Sequence, residues 1–445
     1  MAETPPQDDA LPSLPKEPVH ALVGPFQRFM HVEAAGGVVL LGATLVALLL
    51  ANSPWSEGFL GIWKTTVAIE LGAFEASHSL KHWINDGLMA LFFFVMGLEV
   101  KRELVLGELR DLRNAMLPIV AALGGMVVPA LVYLALAGGG PAARGWGIPM
   151  ATDIAFVIGC LAVLGKRVPL AFRVMLVSLA IVDDIGAILV IAVGYSTYLA
   201  WGWLVAGLAG VAGISVAARI GVRALPFYAV VGFLVWLAFH ESGVHATIAG
   251  VILGLQTPAR SYASEGFLRR LVGQADEFLR GDGSGSSGPR ARDIRQLRYR
   301  IREAVSPLEY LETLLHPWMS FLVVPLFALA NAGVPIELSA LEGGVTRAVG
   351  LGLLLGKPAG VVGFSFLAVK LGLAKLPGGV GWRAVLGGGF LAGIGFTMSM
   401  FIGGLALDDD TLVGAKVGIF VGSALAAVIG LAVLAKALPR AASGK

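Results

Sequence analysis

The chain has 445 residues, of which 56% are hydrophobic and 14% charged, with a mean hydropathy of +0.80 and a formal charge of +3. A soluble domain carries about one quarter charged residues, so this composition excludes a soluble enzyme with one anchor and points to a bundle of membrane helices. A single cysteine, Cys160, excludes a disulfide framework and a cysteine metal site.

Apolar runs of about 20 residues, bounded by glycines, prolines and charges, mark the spanning segments. They are predicted at 35–52, 82–104, 115–137, 146–164, 170–195, 201–218, 225–239, 243–257, 316–332, 348–370, 384–406 and 411–437. The fold class is an all-α integral membrane protein with about twelve transmembrane helices. Residues 1–33 read as an N-terminal tail and 34–257 as helices one to eight. A polar loop follows over 258–315, then helices nine to twelve over 316–438 and a tail at 439–445. The first residues are polar and lack a short apolar core with a cleavage site. No cleaved signal peptide is expected, and the first apolar run serves as the targeting signal.

Basic residues test the topology. With the N-terminus in the cytoplasm, about 27 of the 33 Lys+Arg fall on the inner side, as the positive-inside rule requires. Lys64, Lys81, Arg144 and Arg347 fall outside. Both termini are therefore expected in the cytoplasm. The loop 258–315 is Arg-rich and contains GDGSGSSG at 281–288, a flexible linker by composition. It reads equally as a segment held near anionic lipids or as a solvated regulatory loop. Segment 53–80 carries Trp55, Trp63 and several acids, and is long enough for a small hairpin on the outer face, with a subunit contact there.

Within the fifth segment, SLAIVDDIGAILV (178–190) is apolar except for Asp183 and Asp184. One acid at the centre of a membrane helix costs about 2.5 to 3.5 kcal/mol, and each neighbour makes the other harder to ionise. A cation or a proton is the natural compensation. Such residues inside a membrane are functional candidates by default. Asp153 lies in IPMATDIAF, where Pro149 interrupts the run and Thr152 supplies a hydroxyl. It reads either as a simple N-cap at a loop-exposed end or as a carboxylate at a helix that stops and restarts within the membrane. The eleventh segment, GGGFLAGIGFTMSMFIGG, is interrupted by glycines. Paired interruptions in two halves suggest a transporter with inverted repeats, although glycine also serves plain helix packing. Lys357 either balances an aspartate and broken-helix carbonyls or snorkels from a helix end. Asp86 is a cap or an ion-path residue. Glu99, Lys101, Arg102 and Glu103 form a charged helix end, and His245 is a structural histidine or a sensor of neutral pH.

These motifs together resemble the NhaA family of bacterial sodium/proton antiporters, from about Phe26 to about Leu438. The likeness rests on WINDGLMALFF (83–93), GLEVKRE (97–103), GGMVVPALVY (124–133), IPMATDIAFVIG (148–159), SLAIVDDIGAI (178–188), SGVHATIAGVI (242–252), LHPW (315–318), PLFALANAGV (325–334), GKPAG (356–360) and GIGFTMSMFI (393–402). The resemblance implies inverted structural repeats with discontinuous helices 4 and 11. It implies that Asp183 and Asp184 bind the transported metal ion and carry protons. Asp153, with Thr152 beside it, would face the positive ends where the broken helices cross. Lys357 would face the negative ends and pair with Asp183 in the cation-free state. Glu99, Glu103 and Glu312 would belong to a pH-responsive surface, with His245 as a further pH-related position. The implied activity is electrogenic exchange of two protons for one sodium or lithium, rising at alkaline pH, in a homodimer in the bacterial inner membrane. The partners are sodium, lithium, protons and membrane lipids, with no nucleic acid and no cofactor. Three departures bear on pH control: Thr313 replaces a histidine, Glu309 replaces a lysine, and the Arg-rich stretch before Ser306 is an insertion.

The sequence shows no nucleophile–base pair, phosphate loop or metal-ligand spacing, so a secondary transporter is expected rather than an enzyme. The competing readings are a sodium-coupled symporter for an organic anion and a passive cation channel. The absence of an obvious intramembrane arginine argues against the symporter.

Overall fold

A computed structural model describes residues 35–71, 74–195, 199–222, 224–259, 305–335 and 342–438. The expected tails at 1–33 and 439–445 and the linker at 281–288 lie outside the described residues. Eight described helices are long and apolar enough to cross a membrane, and three bent helix pairs raise the number to eleven if each pair counts as one span.

The first helix, α1 (Ala35–Ala51), turns by 115° into α2 (Ser56–Lys64). Two antiparallel strands follow, β1 (Thr66–Leu71) and β2 (Phe74–Ser79), paired from Thr66 with Ser79 to Leu71 with Phe74. The hairpin lies in segment 53–80, where the sequence had room for one, within an otherwise helical chain. Thr66, Val67 and Ile69 are β-branched, which favours the extended pleat. Ser79 then accepts a hydrogen bond from the His82 N–H and starts α3 (Leu80–Val105).

Next come α4 (Leu112–Leu136), a 3₁₀ segment (Gly140–Met150), α5 (Ile154–Leu164), α6 (Leu170–Gly194), α7 (Trp201–Arg219) and α8 (Leu225–Ser242). Helix α8 ends at Gly243, whose φ of +80° is the left-handed geometry glycine tolerates. After it, α9 (Thr247–Gln256) has only 10 residues. At 1.5 Å per residue it is about 15 Å long, half a hydrocarbon core, so the eighth predicted segment does not cross by itself.

The ninth segment also differs from its sequence boundary. The structure starts α10 (Pro307–Asn331) nine residues before the predicted 316, inside the stretch read as loop. The cause is local: Ser306 and Glu309 form a reciprocal capping box, and Pro307 occupies the first turn. Glu309 therefore has a structural use at the position where the family pattern differs. The remaining elements are α11 (Gly344–Lys370), α12 (Trp382–Ala392), α13 (Phe396–Ala406) and α14 (Asp409–Ala437).

Glycine allows the closest packing. A β-carbon on Gly360 would lie 2.0 Å from the Gly124 carbonyl oxygen, and one on Gly124 would lie 2.3 Å from the Gly360 oxygen. Helices α4 and α11 therefore meet backbone to backbone. Close approach of this kind supplies dispersion contacts where lipid offers no hydrophobic driving force between helices. Gly360→Ala should destabilise the protein by at least the roughly 1–3 kcal/mol of ordinary overpacking, because backbone cannot rotate away. Gly363→Ala is the control, since its β-carbon meets nothing within 4 Å. Thermal unfolding in detergent should show a lowered midpoint for the first variant alone; equal midpoints would contradict the close contact.

Candidate functional site

The site is built where two interrupted helices meet. The 3₁₀ segment Gly140–Met150 and the helix that follows are bent by 41°, with Ala151, Thr152 and Asp153 outside helix. Helices α12 and α13 are bent by 46° around Gly393–Gly395. The two gaps are joined directly: the Asp153 N–H donates to the Ile394 carbonyl at 2.6 Å. Each interruption leaves backbone donors and acceptors without helical partners, which must be satisfied locally.

Polar side chains do this one group at a time. Asp153 is only 3% exposed. One of its oxygens accepts from the Phe156 N–H at 3.3 Å, capping α5. The other accepts from the Thr397 N–H at 3.0 Å and from the Thr397 hydroxyl at the start of α13. The cap reading and the buried reading of Asp153 therefore hold together, because one carboxylate faces two helix N-termini. The Ser423 hydroxyl lies 3.3 Å from both the Gly395 and Phe396 N–H groups. On the carbonyl side, the Ser399 hydroxyl donates to the Ile148 oxygen at 2.7 Å, and Lys357 Nζ donates to the Met150 oxygen.

Asp183 and Asp184 are residues 14 and 15 of the 25-residue α6, near its middle. Both are essentially fully buried. Lys357, at 0% exposure, sits just after a π-type turn (Gly352–Gly356) in α11, so it does not snorkel. Its Nζ is 2.6 Å from Asp183 Oδ2. The Thr152 hydroxyl lies 2.6 Å from that same oxygen and 2.9 Å from the Ala392 carbonyl. With one proton to give, it donates to one acceptor at a time. Asp183 Oδ1 and Asp184 Oδ1 are buried with no hydrogen-bond partner. Orphaned carboxylate oxygens are costly in an apolar interior, and they are hard-oxygen ligands that a small cation accepts.

Thus Thr152, Asp153, Asp183, Asp184 and Lys357 come together, Glu99 is close enough to act electrostatically on Asp184, and the other sequence candidates stand apart. Glu99 lies 3.9 Å from His316 Nδ1, and Arg102 pairs with Glu312, so two contacts link α3 to α10. Glu103 accepts from the Ser178 hydroxyl at 3.2 Å and from the Glu108 N–H at 3.1 Å. Glu103 and Ser178 also line an open cavity of about 670 Å³, with Arg110, Asp111 and Arg173 around it. Ser178 and Asp183 are five positions apart in α6, about 7.5 Å along the axis. Asp86 sits instead beside His82 and His240. His245 is not inside a helix: it occupies the link between α8 and α9, with Nδ1 2.9 Å from the Thr247 hydroxyl and its ring edge-on to Phe401.

Sequence reasoning missed Thr397, Ser399 and Ser423. Thr397 and Ser399 are the hydroxyls in GIGFTMSMFI, a visible signal, whereas Ser423 in α14 gave none. It also passed over Lys416, 7% exposed within α14.

Comparison with known proteins agrees in extent with this architecture. The family described as Na+/H+ antiporter 1 matches residues 27–434. A protein of Rhodopirellula baltica named Na(+)/H(+) antiporter NhaA is 53% identical over 428 residues, covering 96% of this chain and 97% of its own length. Its namesake in Rhizobium meliloti is 50% identical over 427 residues, covering 96% and 98%. The chain belongs to the Na+/H+ antiporter 1 family.

Proposed function

We propose that this chain is a secondary antiporter that exchanges sodium or lithium for protons at Asp183 and Asp184. The observation that carries this reading is the pair of buried, unpartnered carboxylate oxygens beside Lys357, at the crossing of two interrupted helices. The names of the relatives at about half identity point the same way.

The mechanism is competition for one set of oxygens. In the arrangement described, Lys357 holds Asp183 Oδ2. A desolvated sodium needs several oxygen ligands, which Asp183, Asp184, Thr152 and nearby carbonyls can supply. Binding it requires Lys357 to give up its hold and the carboxylates to shed protons. The Thr152 hydroxyl can then turn to the Ala392 carbonyl and leave a lone pair for the cation. Cation and proton thus exclude each other, and the pair titrates in coupled steps.

Alternating access follows if the interrupted helices rock as units. The near-equal breaks of 41° and 46°, each in the middle of a three-segment group, support inverted repeats with discontinuous helices 4 and 11. The basic residues favour twelve membrane segments with both termini in the cytoplasm, the eighth entering only part of the way, and the family likeness favours a bacterial inner membrane. The exchange is proposed to be electrogenic, two protons per sodium, each net charge coupling to the potential by about 2.3 kcal/mol per 100 mV. Glu99, Glu103, Glu312 and His245 are assigned to pH regulation, with Asp86 on the ion path. The hairpin is assigned to a homodimer contact.

The decisive assay uses everted vesicles with a pH-sensitive dye, pulsed with sodium, lithium or potassium. Sodium and lithium should each drive proton movement, and potassium should not. Dissipation of either gradient alone would indicate a channel, and a requirement for an organic anion would indicate a symporter. Asp183→Asn and Asp184→Asn should each reduce the sodium response to background while the protein still folds. Full exchange by either variant would remove the pair from the mechanism. Lys357→Ala should lower the unfolding midpoint, since stranding one member of a buried ion pair costs about 3–5 kcal/mol. The double variant Asp183→Asn, Lys357→Met should recover much of that loss; a double variant no more stable than Lys357→Ala would mean that the two side chains are not energetically coupled.

A further inference from the structure

Three of the chain's seven histidines converge at the hairpin end of the molecule. His78 comes from the end of β2, His82 from the first turn of α3 and His240 from the last turn of α8. Ring centroids are 4.3 Å apart for His78 and His82, and 5.9 Å from each of these to His240. One ring nitrogen from each lies within 4.8 Å of the other two. Asp86 stands beside two members of the group: its Oδ2 is 3.5 Å from His82 Nε2 and 3.8 Å from His240 Nε2. His82 Nε2 and His240 Nδ1 are buried and form no hydrogen bond, although Asp86 Oδ2 stands 3.5 Å from the first and Glu241 Oε1 3.4 Å from the second.

We propose that His78, His82 and His240 form a binding site for a divalent transition-metal ion of the zinc type, with the fourth position taken by water or, after a side-chain rotation, by Asp86. Ligand chemistry selects that class. Imidazole nitrogen suits zinc, copper, nickel and cobalt, whereas sodium, magnesium and calcium prefer all-oxygen sets. The site is therefore chemically distinct from the carboxylates in the middle of α6. Geometry is close to what a tetrahedral ion requires. With metal–nitrogen distances of about 2.0–2.1 Å, ligand atoms around zinc stand about 3.4 Å apart. Asp86 is already near that spacing from two of the rings, and the three nitrogens, within 4.8 Å of one another, must close by up to about 1.4 Å. The His82 and His240 side chains are 38% and 23% exposed, so small rotations are free to do this.

Without an ion, three imidazoles crowd together with Asp86 and Glu241 as their acidic neighbours. The sequence reading found no metal-ligand spacing because His240 lies far along the chain. The local half, His78-x₃-His82-x₃-Asp86, repeats every four residues across the strand-to-helix junction and was visible. A bound ion would fasten β2 and α8 to α3, and so stiffen the hairpin against the membrane helices.

The test uses the full chain in detergent, purified through a tag without histidine and stripped with a chelator. Titration with zinc chloride should give one zinc per chain and a raised unfolding midpoint. His82→Ala and His240→Ala should each weaken binding roughly tenfold or more, and His316→Ala should leave it unchanged. Cobalt(II) added to the unaltered protein should give the visible bands of a four-coordinate nitrogen/oxygen site, abolished by zinc. This measurement decides the matter if the variants fold poorly. Absence of the cobalt bands, no zinc retained, or equal binding by the triple variant His78→Ala, His82→Ala, His240→Ala would overturn the proposal.

Discussion

The structure depends on how it satisfies two interruptions placed side by side in an apolar interior. Breaking a helix within the membrane frees N–H groups on one side and carbonyls on the other, and no water is at hand to take them. Here the freed groups answer one another. The Asp153 N–H meets the Ile394 carbonyl, the Asp153 carboxylate meets two helix N-termini, and Lys357 and Ser399 meet the carbonyls of Met150 and Ile148. A negative side chain sits at the positive ends, and a positive one at the negative ends. The crossing is thereby held without lipid-exposed polar backbone.

Lys357 gives that scaffold its link to the candidate chemistry. It touches both the Met150 carbonyl and Asp183, so one ammonium serves the broken helix and the carboxylate at once. Any process that draws Asp183 away from Lys357 changes the charge balance at the end of the 3₁₀ segment. Conversely, a shift of that segment changes what holds Asp183. Thr152 couples the same parts a second time, lying between Asp183 and the last carbonyl of α12. Occupation of the carboxylates and the position of the interrupted helices are thus not independent. This is the physical requirement for a ligand to bias a conformational equilibrium.

Much of this was readable from residues alone, for identifiable reasons. Long apolar runs mark helices whatever their packing, so the predicted segments have helical counterparts in order. Most charged side chains inside those runs announce themselves, as Asp153, Asp183, Asp184 and Lys357 did, whereas Lys416 did not. Polar helical turns do not: Pro307–Leu315 reads as loop because Glu309, Glu312 and their neighbours resemble solvated chain, and only the capping box reveals the start. Tertiary partners leave no local trace either. Ser423 acts on α13 from another helix, and His240 joins His78 and His82 only after folding. His245 falls outside a helix, although its apolar flank reads as continuous helix, because Gly243 turns the chain before it.

Helix α3 ties the polar ends of the molecule to its middle. Its first turns carry His82 and Asp86, and its last turns carry Glu99, Arg102 and Glu103. The Glu103 end reaches α6 through Ser178, at the wall of the open cavity, less than two helical turns from the aspartate pair. The same end reaches α10 through Arg102–Glu312 and Glu99–His316. Along its length, α3 packs on α9 with glycine contacts so tight that a β-carbon on Gly250 would meet the Ala90 oxygen at 2.2 Å. Helix and partner must therefore move together or not at all. Glu99 also acts on Asp184 through space, so this end of α3 and the aspartate pair are linked electrostatically as well as through the helix contacts.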